Sequence, residues 1–373
     1  MKKISRKYFL ETFTPSMKEI YVLNGVDAFK QNDIIEIHSK GNFYYSIQLG
    51  SNLKAIQDNI NINFLSKIPL NNSCTAFRSG LSYYNFLEPH IGSYNYIRLD
   101  IKSFFHSIPL EMLRVLFLKY FEDEYLDVNN KQKLVDGFIK LVTFEVSNDS
   151  LNKNFKNKTI VPIGFKTSPT ISNIFFRELD ILIQRSCISK GIIYTRYADD
   201  MLFSSKKENK FITSESFSKD ISILISRFGF KLNHQKTIQA KHTISLNGYT
   251  ISYNTNNSES PSMRVSNKKI RIIEKIIHKI KKNEPPETIL YKLFGFRINS
   301  RNFKYLPPKN DFTKKYCKDQ LFNKIIGYRS FLLSAIKFNY SFECITETSV
   351  NKYLTLVIEL EEIVKKLNNE KLS

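Results

Sequence analysis

The chain has no tryptophan, four cysteines and no hydrophobic run long enough to cross a membrane. Each shortage excludes something. Cys74, Cys187, Cys317 and Cys344 are scattered, with no Cys-x-x-Cys pair and no paired histidines, so neither a structural zinc site nor a disulfide framework is expected. The most apolar stretch, 104–121, is broken by His106, Glu111, Arg114 and Lys119. The opening residues Met1-Lys2-Lys3-Ile4-Ser5-Arg6 are basic but lack the apolar centre of a secretory signal. A reducing, cytoplasmic setting without a membrane partner is the expectation. Acidic residues are also in short supply: 35 Asp and Glu face 56 Lys and Arg, a formal charge of +21. A balance of that sign suits a polyanion, most simply nucleic acid, although a composition rich in Ile, Lys and Asn supplies part of it. With 42% hydrophobic and 24% charged residues the chain reads as globular, with one large core or two smaller ones.

What is present centres on residues 194–205. Asp199 and Asp200 stand between the apolar runs Gly191-Ile192-Ile193-Tyr194 and Met201-Leu202-Phe203. Such flanks around a short polar centre predict a β-hairpin with the two carboxylates at its tip. Aspartate is a common turn residue, so the pair alone has a plain structural explanation. A third carboxylate, Asp100, ends a second apolar strand, Asn95-Tyr96-Ile97-Arg98-Leu99. A strand-end Asp beside a hairpin-tip pair can converge on hard divalent cations such as Mg²⁺, which prefer carboxylate oxygens. Two such ions suit an in-line phosphoryl displacement.

These segments, with Pro162-Ile163-Gly164-Phe165-Lys166-Thr167-Ser168-Pro169 upstream of the hairpin and Phe228-Gly229-Phe230-Lys231-Leu232-Asn233-His234-Gln235-Lys236-Thr237 after it, resemble reverse transcriptases, whose motifs follow in this order. Tyr197-Ala198-Asp199-Asp200 matches the family's Tyr-x-Asp-Asp. The resemblance covers about 40–300 and is densest over 97–237. It implies an α+β right-hand polymerase: an N-terminal region and fingers over 1–95, an antiparallel-sheet palm over 96–253 with finger segments inserted around 126–160, and a helical thumb and C-terminal region over 260–373. It further implies that Asp100, Asp199 and Asp200, with the Ile101 backbone carbonyl, hold two Mg²⁺ ions, Mn²⁺ being the alternative. Lys236 falls on the lysine that meets the leaving pyrophosphate, Phe105 on the aromatic that excludes a 2′-hydroxyl, and Gly164 on a turn approaching the nucleotide or template. Tyr197 and Ala198 floor the primer end. Lys40, Lys54 and Arg78 are candidates for the triphosphate contact, with Arg78 preferred for a substrate or template phosphate.

Beyond a polar stretch at 254–262, residues 264–282 read as one basic helix. Ile270, Ile273, Ile277 and Ile280 line one face, and Lys268, Lys269, Arg271 and Lys275 are the expected contacts to nucleic-acid phosphates. The rest reads as all-helical, without a nuclease, RNase H or protease motif.

By resemblance to retron and other defence-associated bacterial enzymes, the expected activity is RNA-directed DNA synthesis from dNTPs. A dedicated non-coding RNA would be the template, nascent DNA the product and antiphage defence the setting, with an accessory or toxin protein as a further partner. Ile163 stands where many relatives carry glutamine, which leaves room for template-independent or protein-primed synthesis on the same fold. The reading of another class is a catalytically silent RNA-binding module.

Overall fold

The computed structural model describes residues 2–15, 33–39, 41–127, 131–253, 261–296 and 309–372. By its contacts the chain forms two compact units, Met1–Pro89 with Asn95–Ala240 and His90–Tyr94 with Lys241–Ser373.

In the first unit, β1 (Ile34–Ser39) and β2 (Asn42–Ile47) pair antiparallel and lead into α1 (Asn52–Asn63), whose N-cap Ser51 accepts from the Leu53 amide. The central sheet is built from β3 (Asn95–Asp100), β4 (Ile192–Tyr197), β5 (Asp200–Ser205) and β6 (Ile238–Lys241), in the order β6-β3-β5-β4. All of β5 is buried, which fits the unalternating Met201-Leu202-Phe203 at its centre. The outer edge of β4 is closed by residues 73–75: the Arg196 amide donates to the Ser73 carbonyl at 2.7 Å, and the Thr75 amide to the Arg196 carbonyl at 2.9 Å.

Between β3 and β4 come α2 (Leu110–Leu118), α3 (Leu134–Val142) and α4 (Ser168–Ile188); α5 (Glu215–Ser226) follows β5. Pro169 lies in the first turn of α4, where its missing amide hydrogen costs no helical bond. The buried ridge of α4 runs Ile171, Phe175, Leu179, Ile183, at steps of four. Leu182, beside Ile183 but off that ridge, is 40% exposed. Six phenylalanines (Phe9, Phe13, Phe64, Phe117, Phe121 and Phe138) interlock in the core, with ring centroids as close as 4.7 Å for Phe117 and Phe138. This cluster accounts for part of the chain's wealth of phenylalanine.

The second unit carries an antiparallel sheet of β7 (Thr243–Leu246), β8 (Tyr249–Ser252) and β9 (Ser262–Val265), followed by α6 (Asn267–Lys281), α7 (Pro286–Phe294), α8 (Lys309–Phe342) and α9 (Glu347–Leu372). The sequence reading carried the basic helix back to Arg264, and this is corrected. Residues 262–265 are a strand because they pair with β8, Val265 opposite Tyr249, and the helix starts only after the Ser266 cap. Of the expected linker, 254–260 lies outside the described residues. The hairpin of β7 and β8, which lies within the 96–253 expected for the palm, groups by its contacts with the second unit.

Candidate active site

Asp100, the last residue of β3, pairs with Asp200, the first residue of β5. Tyr197 pairs with Asp200 across β4 and β5, so Ala198 and Asp199 form a two-residue hairpin turn. Ala198 has φ +55°, a left-handed conformation for which such turns usually recruit glycine. One main-chain bond ties the Asp100 strand to the hairpin turn, and a second ties it to the segment before Lys236. The Ile101 amide donates to the Asp199 carbonyl at 3.0 Å, and the Asn233 amide to the Asp100 carbonyl at 2.7 Å. Period-two alternation in the strands then sets the faces on which the side chains emerge.

Beneath the turn lies a buried polar cluster. Arg196, fully buried, donates from Nε and Nη2 to the two carboxylate oxygens of Asp180 at 2.9 and 2.7 Å. Its Nη1 donates to Asn173 Oδ1 at 3.2 Å and to the Ala198 carbonyl at 2.9 Å. The Tyr194 hydroxyl donates to Asp180 at 2.7 Å, and the guanidinium stacks 4.4 Å from the Phe176 ring centroid. Every guanidinium nitrogen is engaged, and one of the bonds holds the strained residue of the turn.

The electrostatics above the turn differ. Arg98 lies two residues before Asp100 on the same strand and therefore on the same face. Its Nη2 is 3.3 Å from Asp100 Oδ2 and also donates to Asp200 Oδ1, while Nη1 donates to the Lys236 carbonyl at 3.0 Å. Lys236 Nζ is 3.3 Å from Asp100 Oδ2, and its side chain is 57% exposed. Asp200 is pushed up to about 6, chiefly by burial; Arg98 pulls it down and Asp199 raises it. Asp199 is also raised, by burial first and the Asp100 charge second. Among the described residues, buried Asp100 Oδ1 has no hydrogen-bond partner. A buried carboxylate oxygen without a donor, beside two carboxyls whose ionised forms are disfavoured, is a donor set suited to a hard cation. Among the described residues, no three His, Cys, Asp or Glu side chains are already drawn together as a metal cage. Between Asp100 and Asp200 the bridging group is the Arg98 guanidinium.

The other expected residues are placed as follows. Ile101 is buried, its amide bonded to Asp199. Phe105 is half-buried, with its ring 6.2 Å from that of Phe77, which lies 6.4 Å from Tyr197. Tyr197 also meets Tyr83 edge-on at 4.9 Å. Arg78 turns back on its own loop, its Nη1 donating to the carbonyls of Asn71 at 3.0 Å and Cys74 at 2.9 Å. Gly164, at φ +117°, makes its close approach to the chain itself: a Cβ there would come 2.5 Å from the Tyr45 carbonyl oxygen. Lys54 is exposed, and Lys40 lies outside the described residues.

In the second unit Lys268, Arg271 and Lys275 are exposed on α6 at i, i+3 and i+7, which makes one stripe. Lys269 is not on it. Its stem lies against Gly248 and its amine is 5.7 Å from the Tyr328 ring centroid. A cleft of about 680 Å³ beside the start of α6 is lined by Ser245, Thr250, Arg264, Lys268 and neighbouring residues.

Sequence reasoning missed Arg98, Asp180 and Phe77 and gave Arg196 no role. The i, i+2 spacing of Arg98 to Asp100 was a usable signal. Asp180, on a helix that reads as apolar, gave none.

Asp100 and Asp200 on adjacent antiparallel strands, with Asp199 in the turn that joins β4 to β5, make this a polymerase-type palm. A profile of the reverse transcriptase (RNA-dependent DNA polymerase) family matches residues 43–251, more than half of the sequence, and the chain belongs to that family. It is similar to Retron Ec86 reverse transcriptase of Escherichia coli, 28% identical over 185 residues, 50% of this chain and 50% of that protein. It is also similar to Retron Mx162 reverse transcriptase of Myxococcus xanthus (24% identical, 62% of this chain, 49% of that protein) and Retron Ec73 reverse transcriptase of Escherichia coli (31% identical, 56% and 65%). The chain spans about half the length of the first two of these curated relatives. Among the described residues, no helix is long and apolar enough to cross a membrane.

Proposed function

We propose that the chain is an RNA-directed DNA polymerase that extends a primer hydroxyl with dNTPs on a dedicated non-coding RNA template, in an antiphage setting. The observation that carries the reading is Asp100 opposite Asp200 on paired central strands, with the Asp199 carbonyl bonded to the Ile101 amide. Asp100, Asp199 and Asp200 would hold two Mg²⁺ ions, or Mn²⁺, with the Ile101 carbonyl as a backbone ligand. Those ions, when bound, supply Lewis acidity to the attacking hydroxyl and to the leaving pyrophosphate.

The chain's own groups do the positioning. Lys236, which reaches Asp100 from a half-exposed position, is placed to neutralise or protonate pyrophosphate as it departs. Phe105, backed by Phe77, sets the floor against which a 2′-hydroxyl would collide, favouring dNTPs. Tyr197 and Ala198 support the primer end. Lys268, Arg271 and Lys275 contact backbone phosphates, a sequence-independent and salt-sensitive contribution. Arg78, whose Nη1 is held by its own loop carbonyls, would offer its remaining guanidinium nitrogens to a substrate or template phosphate, and Gly164 would let the turn against Tyr45 approach the nucleotide or template.

The test is to sequence the nucleic acid that co-purifies with the protein, and to follow dNTP incorporation by the wild type and by Asp199→Asn/Asp200→Asn. The expected result is a discrete RNA with complementary DNA attached, and loss of incorporation by about a thousandfold or more in the variant. DNA that matches no RNA would replace this reading with template-independent synthesis. RNA alone, unchanged by dNTPs, would replace it with a binding module.

A further inference from the structure

Three carboxylates at the candidate active site face two side-chain cations, and the two cations are not equivalent. Lys236 approaches Asp100 from a half-exposed position. Arg98 is inside: its Nη2 bridges Asp100 and Asp200, and only 15% of its side chain is exposed. The bridge is incomplete. Asp100 Oδ1 and Arg98 Nε are both buried without a hydrogen-bond partner among the described residues. A buried ion pair settled into its final arrangement saturates its donors and acceptors, as Arg196 and Asp180 do a few residues away. Here one guanidinium nitrogen serves two carboxylates and leaves an oxygen over.

From this geometry we infer that Arg98 is a tethered counter-cation. It occupies the Asp100–Asp200 pair in the metal-free protein and must give way when a divalent ion binds. The inference rests on the polymerase reading above, and it assigns Arg98 as a positioning residue that sets how much metal the site requires. Two physical reasons support it. Partly buried carboxylates this close repel one another and lose hydration, so a cation belongs among them in every state. A guanidinium is planar and fork-shaped and bridges carboxylate oxygens through its N–H donors, whereas a divalent ion would take the same oxygens directly as ligands. The two cations therefore compete for the same oxygens. Once displaced, Arg98 stays anchored through the bond from Nη1 to the Lys236 carbonyl, next to the residue proposed to meet pyrophosphate.

The test is Mn²⁺ binding without nucleotide, followed by the electron paramagnetic resonance signal of the free ion, in the wild type, Arg98→Met, Arg98→Lys and Asp200→Asn. Methionine keeps an unbranched apolar stem and removes the charge. The expected result is about tenfold tighter binding in Arg98→Met, an intermediate value in Arg98→Lys, and loss of binding in Asp200→Asn. Without metal, Arg98→Met should melt below the wild type, and saturating Mn²⁺ should close most of that gap. Equal or weaker Mn²⁺ binding in Arg98→Met would overturn the inference while leaving a wild type that still incorporates dNTPs as a polymerase. Absence of Asp200-dependent binding in both wild type and Arg98→Met would overturn the inference and the polymerase reading together. If Arg98→Met does not fold, Arg98→Lys against wild type decides, with no gain in affinity counting against the inference.

Discussion

Two arginine–aspartate clusters flank one hairpin, and they are built on opposite terms. Below the turn, Arg196 and Asp180 are fully buried, and every guanidinium nitrogen is bonded to Asp180, Asn173 or the Ala198 carbonyl. Above it, Arg98 bridges Asp100 and Asp200 with one nitrogen, and a buried oxygen and a buried nitrogen go without partners. The saturated cluster fixes geometry. The unsaturated one keeps its ligand atoms available. On the inference drawn above, a site that exchanges cations leaves some of its groups unsatisfied by protein, and that is the difference between the two clusters.

Substitutions can break this comparison, and the largest effect belongs to the saturated cluster. Arg196→Met leaves Asp180 buried with only the Tyr194 hydroxyl as a side-chain donor. It is expected to cost about 3–5 kcal/mol in a denaturant titration, with no rescue by Mn²⁺. Replacing both partners together, Arg196→Met/Asp180→Leu, should cost less than the single change, because no charge is then stranded. A double-mutant cycle measures the difference.

The middle effect has the opposite sign and depends on pH. Burial in the fold pushes Asp200 up to about 6, above the value of roughly 3.9 expected when unfolded, so the metal-free protein in EDTA carries this penalty. A group raised on folding contributes its stability below the unfolded pKa and loses it as pH rises through the folded one. The wild type is therefore penalised progressively between about pH 4 and 6 and fully above that. Asp200→Asn should stabilise the metal-free protein by of order 2 kcal/mol at pH 7 and by almost nothing at pH 4, read from melts across that range. Equal stabilisation at both pH values would refute this origin for the effect.

The smallest effect is in the turn between the clusters. Ala198→Gly relieves a left-handed conformation that costs an L-residue about 1–2 kcal/mol, but it adds unfolded-chain entropy of about 0.4–1 kcal/mol. The net gain should stay within about 1 kcal/mol in the same titration. A loss larger than that would mean that the Ala198 methyl group, not the Arg196 bond to its carbonyl, holds the turn.

Much of this site was legible in the residues. The apolar runs flanking Asp199 and Asp200 specify a hairpin, and the strand before Asp100 is as plain, because period and β-branching are local properties. The helix at 168–188 carries a local signal of the same kind, Pro169 in its first turn. Less legible was the boundary at 262–267, where helix-forming residues are taken into a strand by pairing with β8. Gly164 was readable as a point of close approach, but not what approaches it, since Tyr45 is more than a hundred residues distant in sequence. Arg78 was readable as a cation, but not that its own loop carbonyls would claim it.

The sequence by itself determined the order of the elements, the hairpin with its carboxylate pair, the third carboxylate at a strand end and the excess of positive charge. Each follows from spacing along the chain or from composition. Tertiary structure alone decided which arginine stands with which aspartate. Arg98 and Arg196 each lie two residues before a residue of the site, Asp100 or Ala198, and nothing local tells them apart. The fold buries Arg196 against Asp180 from a helix and leaves Arg98 among carboxylates it only partly satisfies, because desolvation and hydrogen-bond saturation belong to the packed environment and not to the residue.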